Sequence, residues 1–179
     1  MEEQEILVKL RDPETRNFGF NLLVRHYQER LYWHIRKMVI DHDDADDVVQ
    51  ETFVKVWKNV DKFREDASLY TWIYKIATNE CLKFLNKKKK RFFISINDVS
   101  KELESKIDLS SNLNGDEIQL KLQKALLKLP DKQRMVFNMK YFDDMKLEQI
   151  AEITGTSVGA LKASHHHAVK KIEYFLNRD

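Results

Sequence analysis

Two runs of charge carry the chemistry that can be read from this chain. Asp41-His42-Asp43-Asp44-Ala45-Asp46-Asp47 opens one apolar-periodic segment, and Asn86-Lys87-Lys88-Lys89-Lys90-Arg91 closes another that is rich in Trp and Tyr. Carboxylates at that density suit a cation or a basic protein surface, and a Lys/Arg run beside aromatic residues suits nucleic-acid phosphates. An acidic face and a separate basic face imply two different partners, one of them nucleic acid. The metal reading is weak: the acidic run lacks the glycine turn and terminal Glu of a calcium loop, and a helix spreads its carboxylates. His165-His166-His167 also invites a metal. Consecutive helical residues point about 100° apart, so three in a row do not converge on one ion. No Ser/His/Asp arrangement, phosphate-cradling glycine loop or paired metal motif is seen, so neither an enzyme nor a cofactor is expected.

These residues need helices to position them. Leu22, Leu23, Tyr27, Leu31, Ile35, Met38 and Val39 recur at spacings of three and four, which predicts a long helix from Phe18 to Ile40. A second begins near Asp44, where carboxylates suit the positive end of the helix dipole. Its Val49, Phe53, Val56, Trp57 and Val60 gather on one side and Asp44, Asp47 and Glu51 on the other. A third runs from about Ser68 to Lys87, with Leu69, Trp72, Ile73 and Ile76 as its buried stripe. Thr71, Lys75, Thr78, Asn79 and Asn86 form its polar face. Trp33 and Trp57 are expected as core anchors and Cys81 as a small buried hydrophobe.

From Phe92 to Glu117, Ser, Asn and Gly crowd the chain and periodicity fades, as in a flexible linker. Helical character returns near Ile118 and breaks at Leu129-Pro130. Residues 146–153, the turn Thr154-Gly155-Thr156-Ser157 and a helix from Val158 to Leu176 then form a helix, a tight glycine turn and a second helix. Thr156 or Ser157 caps that last helix. Its Lys162, His166 and Lys170 share an outward face flanked by Ala163 and His167, as a major-groove recognition helix requires. His165 is expected at the core edge, with His166 and His167 exposed.

Composition bounds the rest. At 179 residues there is room for one domain or two small ones, and two prolines and four glycines are too few for a turn-rich β fold. A single cysteine excludes an intrachain disulfide and fits a reducing compartment. The acidic N-terminus lacks a secretory h-region, and no apolar run reaches the roughly 20 residues of a membrane span. A cytoplasmic protein with no direct membrane association is expected.

In this arrangement Asp43-Asp44-Ala45-Asp46-Asp47-Val48-Val49-Gln50-Glu51-Thr52-Phe53, Phe63-Arg64 and Thr71-Trp72-Ile73-Tyr74-Lys75-Ile76-Ala77-Thr78-Asn79 resemble the second conserved region of bacterial sigma factors. Leu129-Pro130 through the helix-turn-helix resembles the fourth. With no other sigma regions, the chain resembles the small extracytoplasmic-function type. The resemblance implies an all-α fold: a region 2 bundle over 5–91, a linker over 92–117 and a region 4 helix-turn-helix domain over 118–179. It implies a transcription initiation factor that binds core RNA polymerase, recognises two promoter elements and promotes melting. Core docking would fall on Asp44, Asp47, Val48, Gln50 and Glu51. The minus-ten element would meet Phe63, Lys75, Asn79, Lys87, Lys88, Lys89, Lys90 and Arg91, with Phe63 stacking on a base. The minus-thirty-five element would meet Lys146, Lys162, Ala163, Ser164, His166, His167 and Lys170. Where the family often has Arg, Ser164 and His167 stand here, so phosphate contacts from His would be shorter-reaching and pH-dependent. An anti-sigma factor, often membrane-bound in the family, is the further partner implied. The rival readings are a helix-turn-helix repressor or activator with an N-terminal effector or dimerisation bundle, and a structural helical adaptor.

Overall fold

A computed structural model describes residues 3–91, 105 and 117–177, and every element with a described span is a helix. The expected linker lies almost wholly outside the described residues. In chain order the helices are α1 (Glu3–Arg11), α2 (Arg16–Val39), α3 (His42–Asn59), a 3-10 turn (Val60–Lys62), α4 (Leu69–Arg91), α5 (Glu117–Leu127), α6 (Asp131–Tyr141), α7 (Leu147–Thr154) and α8 (Val158–Leu176). The fold is all-α, an N-terminal bundle followed by a helix-turn-helix domain.

Local chemistry explains most boundaries. Asp41 accepts a hydrogen bond from the Asp44 amide at 3.1 Å, so the acidic run caps its own helix. Ser68 does the same for the Thr71 amide at 3.1 Å and starts α4. Gly155, at φ 67, takes the left-handed conformation that ends α7, and Ser157 caps α8 through the Ala160 amide. Ile40 also sits at positive φ, 66°, which a β-branched residue adopts only under constraint; it makes the corner between α2 and α3. Helix α1 goes beyond the sequence reading. Ile6, Leu7 and Leu10 bury its inner face, and Gly19 lets it cross α2 so closely that a Cβ there would lie 2.7 Å from the Leu10 nitrogen.

The two units share one core. Met38, Ala45, Ile73, Ala77, Cys81 and Leu85 of the bundle belong to the same apolar cluster as Met135, Val136, Met139, Ile150, Ile153 and Leu161. Helix α7 packs along α4, and α6 packs on α2. A smaller cluster of Ala125, Leu126, Leu129, Phe137, Ala168 and Ile172 ties α5, α6 and α8 together. Several expectations change as a result. Thr71 and Thr78, expected on an open polar face, are buried: Thr71 faces its cap Ser68, and Thr78 faces His34 of α2. Trp33 is no core anchor but 54% exposed, lying edge-to-face on Tyr32. Trp57 is half-buried between Phe20 and the Arg16 guanidinium.

Candidate nucleic-acid interface and acidic groove

The outer wall of α3 and the inner edge of α4 enclose a groove of about 470 Å³. Asp47, Gln50 and Glu51 stand exposed on the α3 side, with Glu80, Lys83, Phe84 and Lys87 on the other. Val48 lines it too but is only 3% exposed, one helical turn from buried Ala45 and Thr52. It forms the floor of the groove. Asp44 is half-buried and held by Lys88 at 2.9 Å. The α4 wall was not legible in sequence, because Glu80, Lys83 and Phe84 join the groove only through the α3–α4 register. Glu80 is buried among cations, pairing with Lys55 and lying 3.6 Å from Lys83.

Lys75 and Asn79 lie one turn apart on the exposed face of α4. Phe63 does not join them. Its amide closes the 3-10 turn on the Val60 carbonyl, the ring turns inward against Trp72 with centroids 5.1 Å apart, and only 9% stays exposed. The expected base-stacking platform is therefore covered in this arrangement. The lysine run is also divided. Lys87 and Lys90 are exposed, Lys88 pairs with Asp44, and Lys89 pairs with Asp131 of α6. The Arg91 side chain lies outside the described residues. The separation of charge read from the sequence is thus partly closed, since the helices bring basic and acidic runs into contact.

In the helix-turn-helix, Lys162, His166 and Lys170 are exposed at successive turns of α8, with Ala163 and His167 exposed beside them and Ser164 half-buried. Lys146 is exposed at the start of α7. His165 turns inward, its ring stacked on Tyr141 at 5.4 Å, as expected for a core-edge position. His167, Lys170 and Lys171 continue into a shallow basic groove with Lys128. The surface offers donors and cations suited to phosphate and base edges. Cys81 is fully buried, and burial pushes its thiol up to about 12, so it behaves as a hydrophobe. Among the described residues no group of three or more His, Cys, Asp or Glu is placed to hold a metal ion, and no helix is long and apolar enough to cross a membrane.

Comparison with known proteins fits this geometry. Residues 23–91 match the family model for Sigma-70 region 2, and residues 119–172 match that for Sigma-70 region 4. The chain is 30% identical over 173 residues to the ECF RNA polymerase sigma factor SigW of Bacillus subtilis, covering 90% of this chain and 92% of that protein. It is 30% identical over 163 residues to the ECF RNA polymerase sigma-E factor of Escherichia coli, covering 87% and 85%. Two solved structures share the fold. CnrH in complex with the cytosolic domain of CnrY has a TM-score of 0.68 at 22% identity, over 99% of this chain and 96% of that one. The sigma factor RpoE in complex with the anti-sigma factor NepR from Bartonella quintana has a TM-score of 0.66 at 21% identity, over 89% and 98%. The chain therefore belongs to the extracytoplasmic-function sigma factors of RNA polymerase and is a transcription initiation factor, not an enzyme.

Proposed function

We propose that the bundle over 5–91 docks core RNA polymerase through Asp47, Gln50 and Glu51, with Val48 supporting that wall from below and Asp44 tied to α4. The observation that carries this is the exposed acidic wall of α3 facing a lysine-bearing edge of α4 across one groove. Lys75 and Asn79 are offered to the minus-ten element, with Lys87, Lys90 and Arg91 on its backbone. Lys88 and Lys89 join only when their carboxylate partners let go. The domain over 118–179 reads the minus-thirty-five element through Lys162, His166 and Lys170, with Lys146, Ala163, Ser164 and His167 at the edges. Residues 92–117 join the two. An anti-sigma factor is the proposed inhibitory partner, supported by the two similar folds, each solved with such a partner or a cytosolic domain bound. The proposed place of action is the cytoplasm, beside the polymerase.

Run-off transcription with purified core polymerase on a promoter library is the test. Specific transcripts that depend on this protein are expected, with little binding to promoter duplex in the absence of core. Tight, core-independent binding to duplex without transcription would overturn the reading in favour of a repressor.

A further inference from the structure

Helices α2, α5 and α6 line a cavity of about 530 Å³ that shares no residue with the acidic groove or with α8. Its volume falls in the range of small-molecule sites, about 300–1,000 Å³. A helix with its side chains is about 10–12 Å across and cannot enter such a space whole. The lining is amphipathic. Ile40, Leu126 and Leu127 give it an aliphatic wall, and the half-exposed Trp33 and Phe142 add aromatic surface. Arg36, Lys37 and Arg134 supply three cations, while no carboxylate lines the cavity among the described residues. The Lys37 ammonium is committed to Asp143 at 2.7 Å and sits 5.3 Å from the centre of the Phe142 ring. The half-buried Arg36 guanidinium has no carboxylate partner among the described residues, so its charge is open to a ligand.

Two deeper residues of α6 point the same way independently. Arg134 is 3% exposed and Asn138 1%, yet Arg134 Nε and Asn138 Oδ1 have no hydrogen-bond partner. Buried polar atoms are nearly always paired, because an orphan has given up its bond to water. Arg134 is anchored by its donation to the Met38 carbonyl at 3.0 Å. Asn138 Nδ2 makes only a weak bond to the Met38 sulfur at 3.4 Å. Turning that amide over would give up little and would present two N–H donors in place of the orphaned oxygen.

We propose that this cavity is a binding site for a small amphipathic carboxylate, an anionic head on an aliphatic or aromatic body. Arg36 supplies the charge partner, since a guanidinium matches a carboxylate with two parallel N–H donors. Arg134 and Asn138 supply the polar wall, and Trp33 and Phe142 cover the apolar body. The charge of the lining selects the ligand: three cations and no carboxylate favour an anion over a neutral or cationic molecule of the same shape. This site goes beyond the proposed function, and none of its lining residues is assigned there to polymerase or promoter.

Octanoate titrated into the full chain at neutral pH tests the proposal through two readouts. Half-saturation should come below about 1 mM for a ligand of this size. A tenfold excess over the dissociation constant should raise the melting temperature by roughly 3–6 °C. The same titration should shift the emission of Trp33, and Trp33→Phe should remove that signal while the rise in melting temperature persists. Octanol and octylammonium should each bind at least about tenfold more weakly. Arg36→Gln should lower the affinity for octanoate several-fold and leave that for octanol unchanged, a split that general loss of structure does not produce. Gln123→Trp, at an exposed edge of the cavity, should exclude octanoate and octanol alike. Octanol binding as tightly as octanoate would overturn the site, as would octanoate binding untouched by Arg36→Gln and Gln123→Trp. So would the absence of saturation up to about 10 mM. A chain that is dimeric until Gln123→Trp is introduced would also overturn it, marking a surface for a second copy instead. Neither polymerase nor promoter enters these measurements, so their failure leaves the proposed function standing.

Discussion

Asp47 and Glu51 project from α3 on the side opposite its buried residues Thr52 and Val56. Reversing both to Lys should leave helicity intact and weaken core binding, by roughly 2–5 kcal/mol per pair if the contact is desolvated and much less at a rim. A pull-down at physiological salt reads it, and unchanged affinity would remove this wall from the interface. Asp44→Lys should behave differently, because Asp44 also anchors Lys88, so thermal stability should fall together with binding. Asn79→Ala removes an exposed amide and should spare both fold and core binding. Open-complex formation on duplex promoters should drop, with about 1–3 kcal/mol of base discrimination lost and partial rescue on a pre-mismatched template. Permanganate reactivity of unpaired thymines measures this. At this scale the sequence was a good guide wherever a residue's role depends on its own helix. Ser157 caps, His166 and His167 face out, and His165 packs inward, all from local spacing. It misled for Trp33, whose exposure depends on which distant surface reaches it.

Among elements, α8 carries the clearest expectation. Lys170→Ala should weaken promoter binding across sequences and reduce the salt slope by about one, whereas Lys162→Ala or His166→Ala should also change the upstream motif recovered from a randomised pool. Identical motifs for all three variants would mean that α8 reads no bases. The turn before it allows a stability test. Gly155 is at φ 67 with open space where a Cβ would stand, so Gly155→Ala costs only backbone strain, about 1 kcal/mol in a denaturation midpoint. The long helices α2, α3, α4 and α8 were legible because periodicity accumulates over many turns and caps mark their ends. Helix α1 was not, because what seats it is its close crossing with α2 at Gly19, a tertiary contact that its own short segment does not announce.

For the molecule as a whole, what the sequence could not show is that the two halves close on each other. That depends on Asp143, one of two adjacent carboxylates in a short connection, meeting a histidine 109 residues earlier in the chain. Burial alone would raise the Asp143 carboxyl. The hydrogen bond and charge of His34 and then Lys37 outweigh it, holding the group below its ordinary value while Tyr74 and Tyr70 face it from α4. A depressed carboxyl stabilises the closed chain above its unfolded value of about 3.9, and that contribution is lost as pH falls through the lower native value. Asp143→Asn should therefore lower stability by about 3 kcal/mol near neutrality. The gap to wild type should close in strong acid, as paired urea titrations would show; a gap independent of pH would mean that the charge is not what matters. The burial of Cys81 has a separate use. It is the single thiol in the chain, sealed inside the cluster that spans both halves and raised to about 12. An alkylating reagent can reach it only when the structure opens, so its labelling rate, divided by that of a free thiol under the same conditions, measures how often that opening occurs. The protein carries a built-in clock for its own breathing, readable by mass alone and without any added dye.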